Sequence, residues 1–234
     1  CGKTTTLYAI LNELAREEVN VITIEDPVEK RMMGINQVQV NAKAGLTFAS
    51  ALRSILRQDP DIVMIGEIRD EETAEIAVRS AITGHYVLST IHTNDSATAI
   101  ARLKDMKVEP YLLSSSVVGI VAQRLARQLC PHCKEQVMPT PEQSQLLGGY
   151  TGPIYKPHGC ARCNQTGYKG RTALFEILPL TAEIRDLIVS SNDTNKIKES
   201  AIKAGMTTLS EEMVKMIIKG QTSMEEMLRV IYTI

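Results

Sequence analysis

Short apolar runs alternate with amphipathic segments over the first 128 residues of the chain. Four apolar residues recur on one helical face and predict a first helix that buries Leu7, Ile10, Leu11 and Leu14. Apolar runs predict strands at residues 19–24, 36–40, 61–65 and 86–91. The third and fourth runs are typical of buried strands in a parallel sheet. This alternation predicts an α/β fold, a mainly parallel sheet covered by helices, whose ligands gather at the carboxyl ends of its strands.

Cap and breaker residues place helices between these strands. Thr47 predicts the start of a helix that runs through Arg57. Asp70 is the expected N-cap of a second helix, over residues 71–83, which Gly84 ends.

The character of the chain changes twice after this region. Two cysteine pairs flank a stretch rich in proline, glycine and glutamine, and mainly helical periodicity follows. We predict three segments: an α/β core over 1–128, a tetracysteine subdomain over 129–171 and a C-terminal helical subdomain over 172–234. In the last, Ser223 and Glu226 match a capping box, and methionines at helical spacing are assigned to core packing.

Composition narrows the class of protein. The apolar fraction of 44% and the charged fraction of 23% are those of an ordinary globular chain. The longest clean apolar run, residues 117–122, is too short to span a membrane. A net charge of −1 and the absence of tryptophan argue against a nucleic-acid-binding surface. We therefore expect a soluble, cytoplasmic protein that does not bind nucleic acid.

The start of the chain matches the second half of a phosphate-binding loop, G-x-x-x-x-G-K-[ST], with the residues Cys1-Gly2-Lys3-Thr4-Thr5-Thr6. In such a loop, backbone N–H groups at a helix N-terminus hold phosphate oxygens. Lys3 is the candidate that reaches the terminal phosphates, and Thr4 is the candidate ligand of Mg²⁺. The first half of the loop and an initiator methionine are absent. We therefore expect a piece of a longer protein, whose missing part is needed for ATP binding.

Acidic residues follow two of the predicted strands. Glu25 and Asp26 can bind Mg²⁺ through water or polarise an attacking water, although a simple turn before Pro27 also explains them. Glu67 follows the apolar run 61–65, as the acid of a Walker B element does. Gly66 lets the backbone pass close to a ligand, or it marks a bulge.

Basic residues add further candidates. Arg53 and Arg57 share a predicted helical face and suit a phosphate on a neighbouring subunit, although the two residues alone favour an ordinary solvated face. His92 follows the run 86–91, where it can hydrogen-bond a phosphate. A histidine without a functional role is the alternative.

The two cysteine pairs are the most specific local signal, with ligands Cys130, Cys133, Cys160 and Cys163 in the pattern C-x₂-C…C-x₂-C. Four thiolates bind a structural Zn²⁺ in tetrahedral geometry. Two disulfides are the alternative, which a reducing cytoplasm disfavours. His132 and His158 are possible substitute ligands, but four cysteines leave them no vacancy.

Taken in order, these motifs resemble the secretion (traffic) ATPases of bacterial type II secretion systems and type IV pilus assembly, over the whole chain. Residues 2–9 resemble the end of their Walker A motif, 23–29 their Asp box and 56–70 their Walker B region. Residues 83–95 resemble their His box, and the tetracysteine with residues 166–171 also matches. Cys1 stands where the family usually has a small residue, which is tolerable because backbone groups bind the phosphate.

The resemblance implies a RecA-like P-loop NTPase core in a hexamer, with ATP between the subunits. Gly2, Lys3, Thr4 and Thr5 would bind the nucleotide with Mg²⁺, Glu25 and Glu67 would activate metal or water, and His92 would lie on the γ-phosphate side. Phosphate contacts or subunit-boundary ion pairs are implied for Arg53, Arg57, Arg69, Arg102 and Arg171.

The resemblance also implies a biological setting. Retraction ATPases of the family generally lack the tetracysteine, so an extension or secretion motor is implied. Such a motor would dock on an inner-membrane platform protein through missing N-terminal domains. Two alternatives stay open: another RecA-like ATPase, of conjugation or DNA-dependent movement, and a zinc-ribbon module that binds nucleic acid.

Overall fold

The computed structural model describes residues 2–232. Contacts group them into two compact units. We call the first, made of Lys3–Ile120 and Leu178–Ala204, the sheet unit. The second comprises Gly2, Val121–Ile177 and the residues from Gly205 onward, and we call it the cysteine unit. The predicted boundaries at residues 128 and 171 stay predictions.

A four-stranded parallel sheet organises the sheet unit, in the order β2-β1-β3-β4. Its strands are β1 (Val21–Glu25), β2 (Asn36–Gln39), β3 (Ile62–Ile65) and β4 (Tyr86–Ser89). In the central pairing, Ile22 lies opposite Val63 and Ile24 lies opposite Ile65. Every residue of β1 and β3 is buried, as their apolar runs require. The predicted α/β class with a mainly parallel sheet is confirmed.

One strand differs from its prediction. β4 was expected to be a buried strand, but its residues are exposed or half-buried, and 49% of Tyr86 is accessible. The physical reason is its position in the sheet, because within residues 2–232 it pairs with β3 on one side alone. An apolar sequence shows that a strand can be buried, but its neighbours decide whether it is.

Seven α-helices within residues 2–232 belong to the sheet unit. In order they are α1 (Lys3–Leu14), α2 (Phe48–Ile55), α3 (Glu71–Ile82), α4 (Ser96–Asp105), α5 (Pro110–Ser116), and, after the cysteine unit's α6 (Pro141–Leu146), α7 (Ala182–Ser190) and α8 (Thr194–Lys203). The predicted N-caps are confirmed, because Thr47 and Asp70 accept hydrogen bonds from the amides of Ser50 and Thr73.

The first helix packs on the sheet with a narrower face than predicted. Leu7 and Leu11 are buried with Val21, Ile62 and Met64. Two further positions of the predicted apolar face, Ile10 and Leu14, are exposed and half-buried. The prediction that all four are buried is therefore wrong at Ile10 and Leu14, although Leu14 still packs against the same apolar cluster.

Helices α7 and α8 pack on helices of the core, α7 against α5 and α8 against α4. Lys104 of α4 links that helix to the end of α7, since its ammonium donates to the carbonyls of Ile188 and Ser191 at 2.7 and 2.8 Å. Lys198 forms an ion pair of 2.9 Å with Asp95, the N-cap of α4. These bonds hold the last two helices of the unit on the layer that covers the sheet.

The cysteine unit contains two small sheets and two further helices. Strand β5 (Gly119–Leu129) pairs with β8 (Tyr168–Pro179), and β6 (Glu135–Val137) pairs antiparallel with β7 (Ile154–Lys156). The helices are α9 (Leu209–Ile218) and α10 (Met224–Met227). Four methionines lie in the core of this unit: Met213, Met216, Met224 and Met227. Their assignment to core packing is thus confirmed.

A buried carboxylate holds the end of the chain in place. Glu226 is 0% exposed, and its oxygens accept hydrogen bonds from the guanidinium groups of Arg127 and Arg229. The predicted capping box is half right, because Ser223 caps α10 but the Glu226 carboxylate turns to the two arginines. Burial by itself raises the pKa of Glu226, but the hydrogen bonds from Arg229 and Arg127 prevail and lower it to about 2.

We expect Glu226→Gln to lower the free energy of unfolding of this unit by about 3 kcal/mol at neutral pH, because it removes the buried charge that pairs with the guanidinium groups of Arg127 and Arg229. The folded-state pKa lies below the ordinary value of 4.5. The stabilisation is therefore complete above that value and is lost as the pH falls toward about 2. Urea unfolding at pH 7 and pH 3 measures both effects. Exposed Glu225→Gln is the matched control, and equal stability of the two variants would contradict the prediction.

No helix within residues 2–232 is long and apolar enough to cross a membrane.

Candidate functional site

A cavity of about 220 Å³ opens at the carboxyl ends of β1, β3 and β4, beside the N-terminus of α1. This is where open parallel sheets bind their ligands. Its walls are formed by Lys3, Thr4, Leu7, Glu25, Asp26, Pro27, Glu29, Phe48, Met64, Gly66, Glu67, Thr90 and His92. Six of the candidate side chains named from the sequence, from four separate parts of the chain, thus line one cavity: Lys3, Thr4, Glu25, Asp26, Glu67 and His92.

Helix α1 begins at the cavity with Lys3 and Thr4. The first turn of a helix carries unpaired N–H groups and a partial positive charge. The Lys3 ammonium donates to the carbonyl of Ile91 at 3.4 Å, which keeps it near the end of β4. An N–H-rich helix end, an ammonium and a hydroxyl together are suited to an anion such as a phosphate.

Glu67 lies directly beyond β3 and is 13% exposed on its side chain. One carboxylate oxygen pairs with Arg69, and the other lies 3.3 Å from Nε2 of His92. Arg69 and His92 are themselves mainly exposed, at 60% and 74%. The acid predicted after β3 and the histidine predicted after β4 therefore meet at the edge of the sheet where their strands end.

Glu25 is the last residue of β1 and is 2% exposed. Its Oε1 accepts hydrogen bonds from the Thr23 hydroxyl at 2.6 Å and from the Gln37 amide at 3.1 Å. Its Oε2 accepts a hydrogen bond from the Tyr8 hydroxyl. A buried carboxylate needs such partners, and three of them fix its orientation at the cavity wall.

Gly66 brings β1 and β3 together at the cavity. Its amide donates to the Ile24 carbonyl at 2.7 Å, and a Cβ atom on it would lie 3.2 Å from the same oxygen. The close approach that the glycine allows is therefore to the neighbouring strand. The residue also lies in the cavity wall, where the absent side chain leaves room.

Other residues of the predicted site are not among those that line this cavity. Arg53 forms an exposed ion pair of 2.6 Å with Glu72, and Arg57 lies in the short 3₁₀ turn after α2. Thr5, Arg102 and Arg171 are exposed, and Gly2 belongs to the cysteine unit together with Arg171. Roles for all of these residues stay predictions.

The four cysteines Cys130, Cys133, Cys160 and Cys163 converge in the cysteine unit, with their sulfur atoms all within 4.8 Å of one another. The sulfur atoms lie 3.7 Å apart in the pair Cys160–Cys163, 3.8 Å in Cys133–Cys163 and 4.0 Å in Cys130–Cys160. A tetrahedron with zinc–sulfur bonds of about 2.3 Å has edges of about 3.8 Å, so this geometry fits zinc. All four thiols are free, at separations about twice the length of a disulfide bond.

Backbone amides prepare one of these sulfurs to act as a ligand. The N–H groups of Cys160 and Gly167 both donate to Sγ of Cys163 at 3.2 Å. Burial raises the pKa of the Cys163 thiol, but these hydrogen bonds prevail and lower it to about 6. A thiolate is the form that binds metal. His132 and His158 contact Arg162 and Glu135 instead, as expected if the cysteines fill the site.

Sequence reasoning missed the three partners of the Glu25 carboxylate and several residues that line the cavity. Thr23 could have been found, because alternate residues of a strand share a face and Thr23 precedes Glu25 by two. Tyr8 and Gln37 carried no such signal, since their contacts with Glu25 depend on how α1 and β2 pack beside β1. Glu29 and Phe48 also line the cavity without having been predicted as site residues.

Fold and site together define a class, the α/β proteins whose parallel sheet carries a polar ligand cavity at the carboxyl ends of its strands. Within that class the family is specific. The family model described as "Type II/IV secretion system protein" matches residues 1–229, and the chain belongs to this family.

Individual relatives agree with the family. The chain is 51% identical over 232 residues to the type IV pilus assembly ATPase PilB of Thermus thermophilus, covering 97% of this chain and 26% of that protein. It is 50% identical to the type II secretion system protein HxcR of Pseudomonas aeruginosa, covering 98% of this chain and 46% of the relative. The chain therefore spans less than half the length of these two relatives.

A solved structure supports the fold. The pilus retraction motor PilT with bound ADP matches 97% of this chain and 57% of its own, with a TM-score of 0.72 and 28% identity. ADP is a ligand of that protein.

Proposed function

We propose that the protein hydrolyses ATP to drive assembly of a type II secretion pseudopilus or a type IV pilus, from the cytoplasmic face of the inner membrane. One observation carries the proposal. The cavity places Lys3 and Thr4, at the start of a helix, opposite the carboxylates Glu25 and Glu67 at the ends of two parallel strands. Two relatives that are 51% and 50% identical, one named a type IV pilus assembly ATPase and the other a type II secretion system protein, support an assignment to pilus assembly or secretion.

Lys3 and the amides of the first turn of α1 would hold the phosphates of ATP. The Thr4 hydroxyl and the carboxylates of the cavity are hard oxygen donors, the ligand type that Mg²⁺ prefers. When bound, Mg²⁺ would neutralise charge on the phosphate oxygens. Lys3, Thr4 and the carboxylates line one cavity, whereas the candidate arginines are not among its lining residues.

Glu67 and Glu25 would orient and deprotonate the attacking water. Glu67 is the stronger candidate because it is partly accessible and directly contacts His92. His92 would then stand on the side of the γ-phosphate, where it can donate a hydrogen bond. Glu25 is more deeply buried, and three donors already bind its carboxylate. It would hold a water through the one acceptor position that these donors leave.

Oligomer and partners complete the proposal. The protein would act as a hexamer on an inner-membrane platform protein, and Arg53, Arg57, Arg69, Arg102 and Arg171 would contact phosphates or neighbouring subunits. A structural zinc ion held by the four cysteines would stabilise the cysteine unit. Nucleic acid has no part in this function.

Complementation of a cell that lacks the full-length protein tests this function. We expect the wild-type gene to restore secretion or piliation, and the Lys3→Ala gene to fail at equal protein level because the phosphates lose their main cation. Lys43→Ala, at an exposed turn, is the matched control and should restore the phenotype. Purified protein whose hydrolysis rises on addition of DNA would contradict the proposal and favour a DNA-dependent motor.

A further inference from the structure

A tyrosine of helix α1 contacts the buried carboxylate at the end of β1. Tyr8 lies five residues after Lys3, half-buried among the apolar residues that pack α1 on the sheet. Its hydroxyl donates to Oε2 of Glu25. The contact joins the helix that begins at the cavity to a carboxylate that lines the same cavity.

The two oxygens of Glu25 are held by different layers of the fold. Thr23 and Gln37, which donate to Oε1, both belong to the sheet, on β1 and β2. Tyr8 donates to Oε2 from the helix. The partners on the sheet fix the position of Oε1. The partner on the helix then fixes the position of Oε2, and with it the rotation of the carboxylate about the Cγ–Cδ bond.

Lone-pair counting shows what this arrangement leaves for chemistry. A carboxylate offers about four acceptor positions, and the three donors occupy three of them. The remaining position lies on Oε2, the oxygen that Tyr8 holds. Burial and the hydrogen bond to Glu25 raise the pKa of Tyr8, so its hydroxyl keeps the proton that it donates.

We propose that Tyr8 is a positioning residue that aims the free lone pair of Glu25 Oε2 at the water or metal-bound water of the reaction. The proposal rests on the ATPase function proposed above. Tyr8 does not touch the substrate in this account, and it acts through Glu25 alone. The same helix starts with Lys3 and Thr4. Through Tyr8, the position of the Glu25 carboxylate is therefore coupled to the position of the phosphate-binding end of α1.

Tyr8→Phe tests the proposal in the full-length protein, since it deletes one oxygen and keeps the packing of the ring. We expect kcat for ATP hydrolysis to fall about 10-fold to 100-fold, because a slightly misplaced group loses that much rate. KM for ATP should change less than about twofold, since Lys3 and the helix end are untouched. Tyr111→Phe, an exposed tyrosine of α5, is the matched control and should behave as wild type.

A double-mutant cycle separates positioning from packing. In a Glu25→Gln background, Tyr8→Phe should cause no further loss of kcat, because both changes act on one group. Additive losses, or a lower melting temperature with unchanged kcat, would overturn the positioning role. Wild-type hydrolysis by Glu25→Gln would overturn the catalytic role of Glu25 and with it that of Tyr8. A strict need for Glu25 with normal Tyr8→Phe kinetics would overturn the role of Tyr8 alone.

Discussion

Glu67→Gln is expected to reduce ATP turnover by the full-length protein by about 10²-fold to 10⁴-fold, the usual contribution of a positioned base. Glutamine keeps the size of the side chain and its hydrogen-bonding reach, but it cannot accept a proton. Glu67 lies directly beyond a fully buried strand, which holds its backbone in place. ATP binding should persist, because Lys3 and the first turn of α1 are unchanged.

Steady-state phosphate release and equilibrium binding of a fluorescent ATP analogue measure the two expectations. Glu75→Gln is the matched control, since Glu75 is an exposed acid on α3 whose ion pair with Arg79 is a surface contact. It should hydrolyse ATP at the wild-type rate. Wild-type turnover by Glu67→Gln would show that the assignment of Glu67 is wrong and would move the role of base to Glu25.

Much of the sheet could be predicted from the sequence because burial on both faces demands an unbroken apolar run. β3 meets that demand on all four residues, and its prediction needed no other information. β4 carries a similar run but lies beside one partner within residues 2–232, so its exposure could not be predicted. Pairing partners come from distant parts of the chain, and a local pattern does not contain them.

The cavity was predictable for a different reason. Parallel strands end at one edge of a sheet, so acids and a histidine that follow three such strands have to meet there. Glu25, Glu67 and His92 obey this rule. The contact of Tyr8 with Glu25 could not be predicted in this way, because it depends on how helix α1 packs on the sheet. Glu226 shows the same limit, since a local cap was predicted and a distant arginine, Arg127, takes the carboxylate.

The second large effect is expected at the tetracysteine site. Cys163→Ala should reduce bound zinc from one ion per chain to near zero after dialysis against a chelator. Apparent binding free energies of structural zinc are about 10–16 kcal/mol, and they are also folding free energy where a site forms on folding. Cys163 is the critical ligand to remove, because its sulfur accepts two backbone hydrogen bonds and lies against Cys160 and Cys133.

Loss of the metal should also destabilise the backbone around the site. The amide of Cys130 donates to the Gly167 carbonyl at 2.9 Å, and the Lys134 ammonium donates to the Gly220 carbonyl at 2.7 Å. Both bonds join the cysteine turns to later parts of the same unit. We therefore expect faster hydrogen exchange over residues 129–137 and 160–168, and at Gly220, in Cys163→Ala than in the wild type.

Elemental analysis and thiol titration decide between zinc and the disulfide alternative. His132→Ala is the matched control, since His132 lies beside the cysteines but contacts Arg162, and this variant should keep one zinc ion per chain. Metal-free wild-type protein with two disulfides would contradict the zinc assignment. Zinc retained by Cys163→Ala but lost from His132→Ala would instead make the histidine a ligand. Because neither histidine nitrogen approaches the sulfur cluster as a ligand in this arrangement, we expect the cysteines alone to decide zinc content.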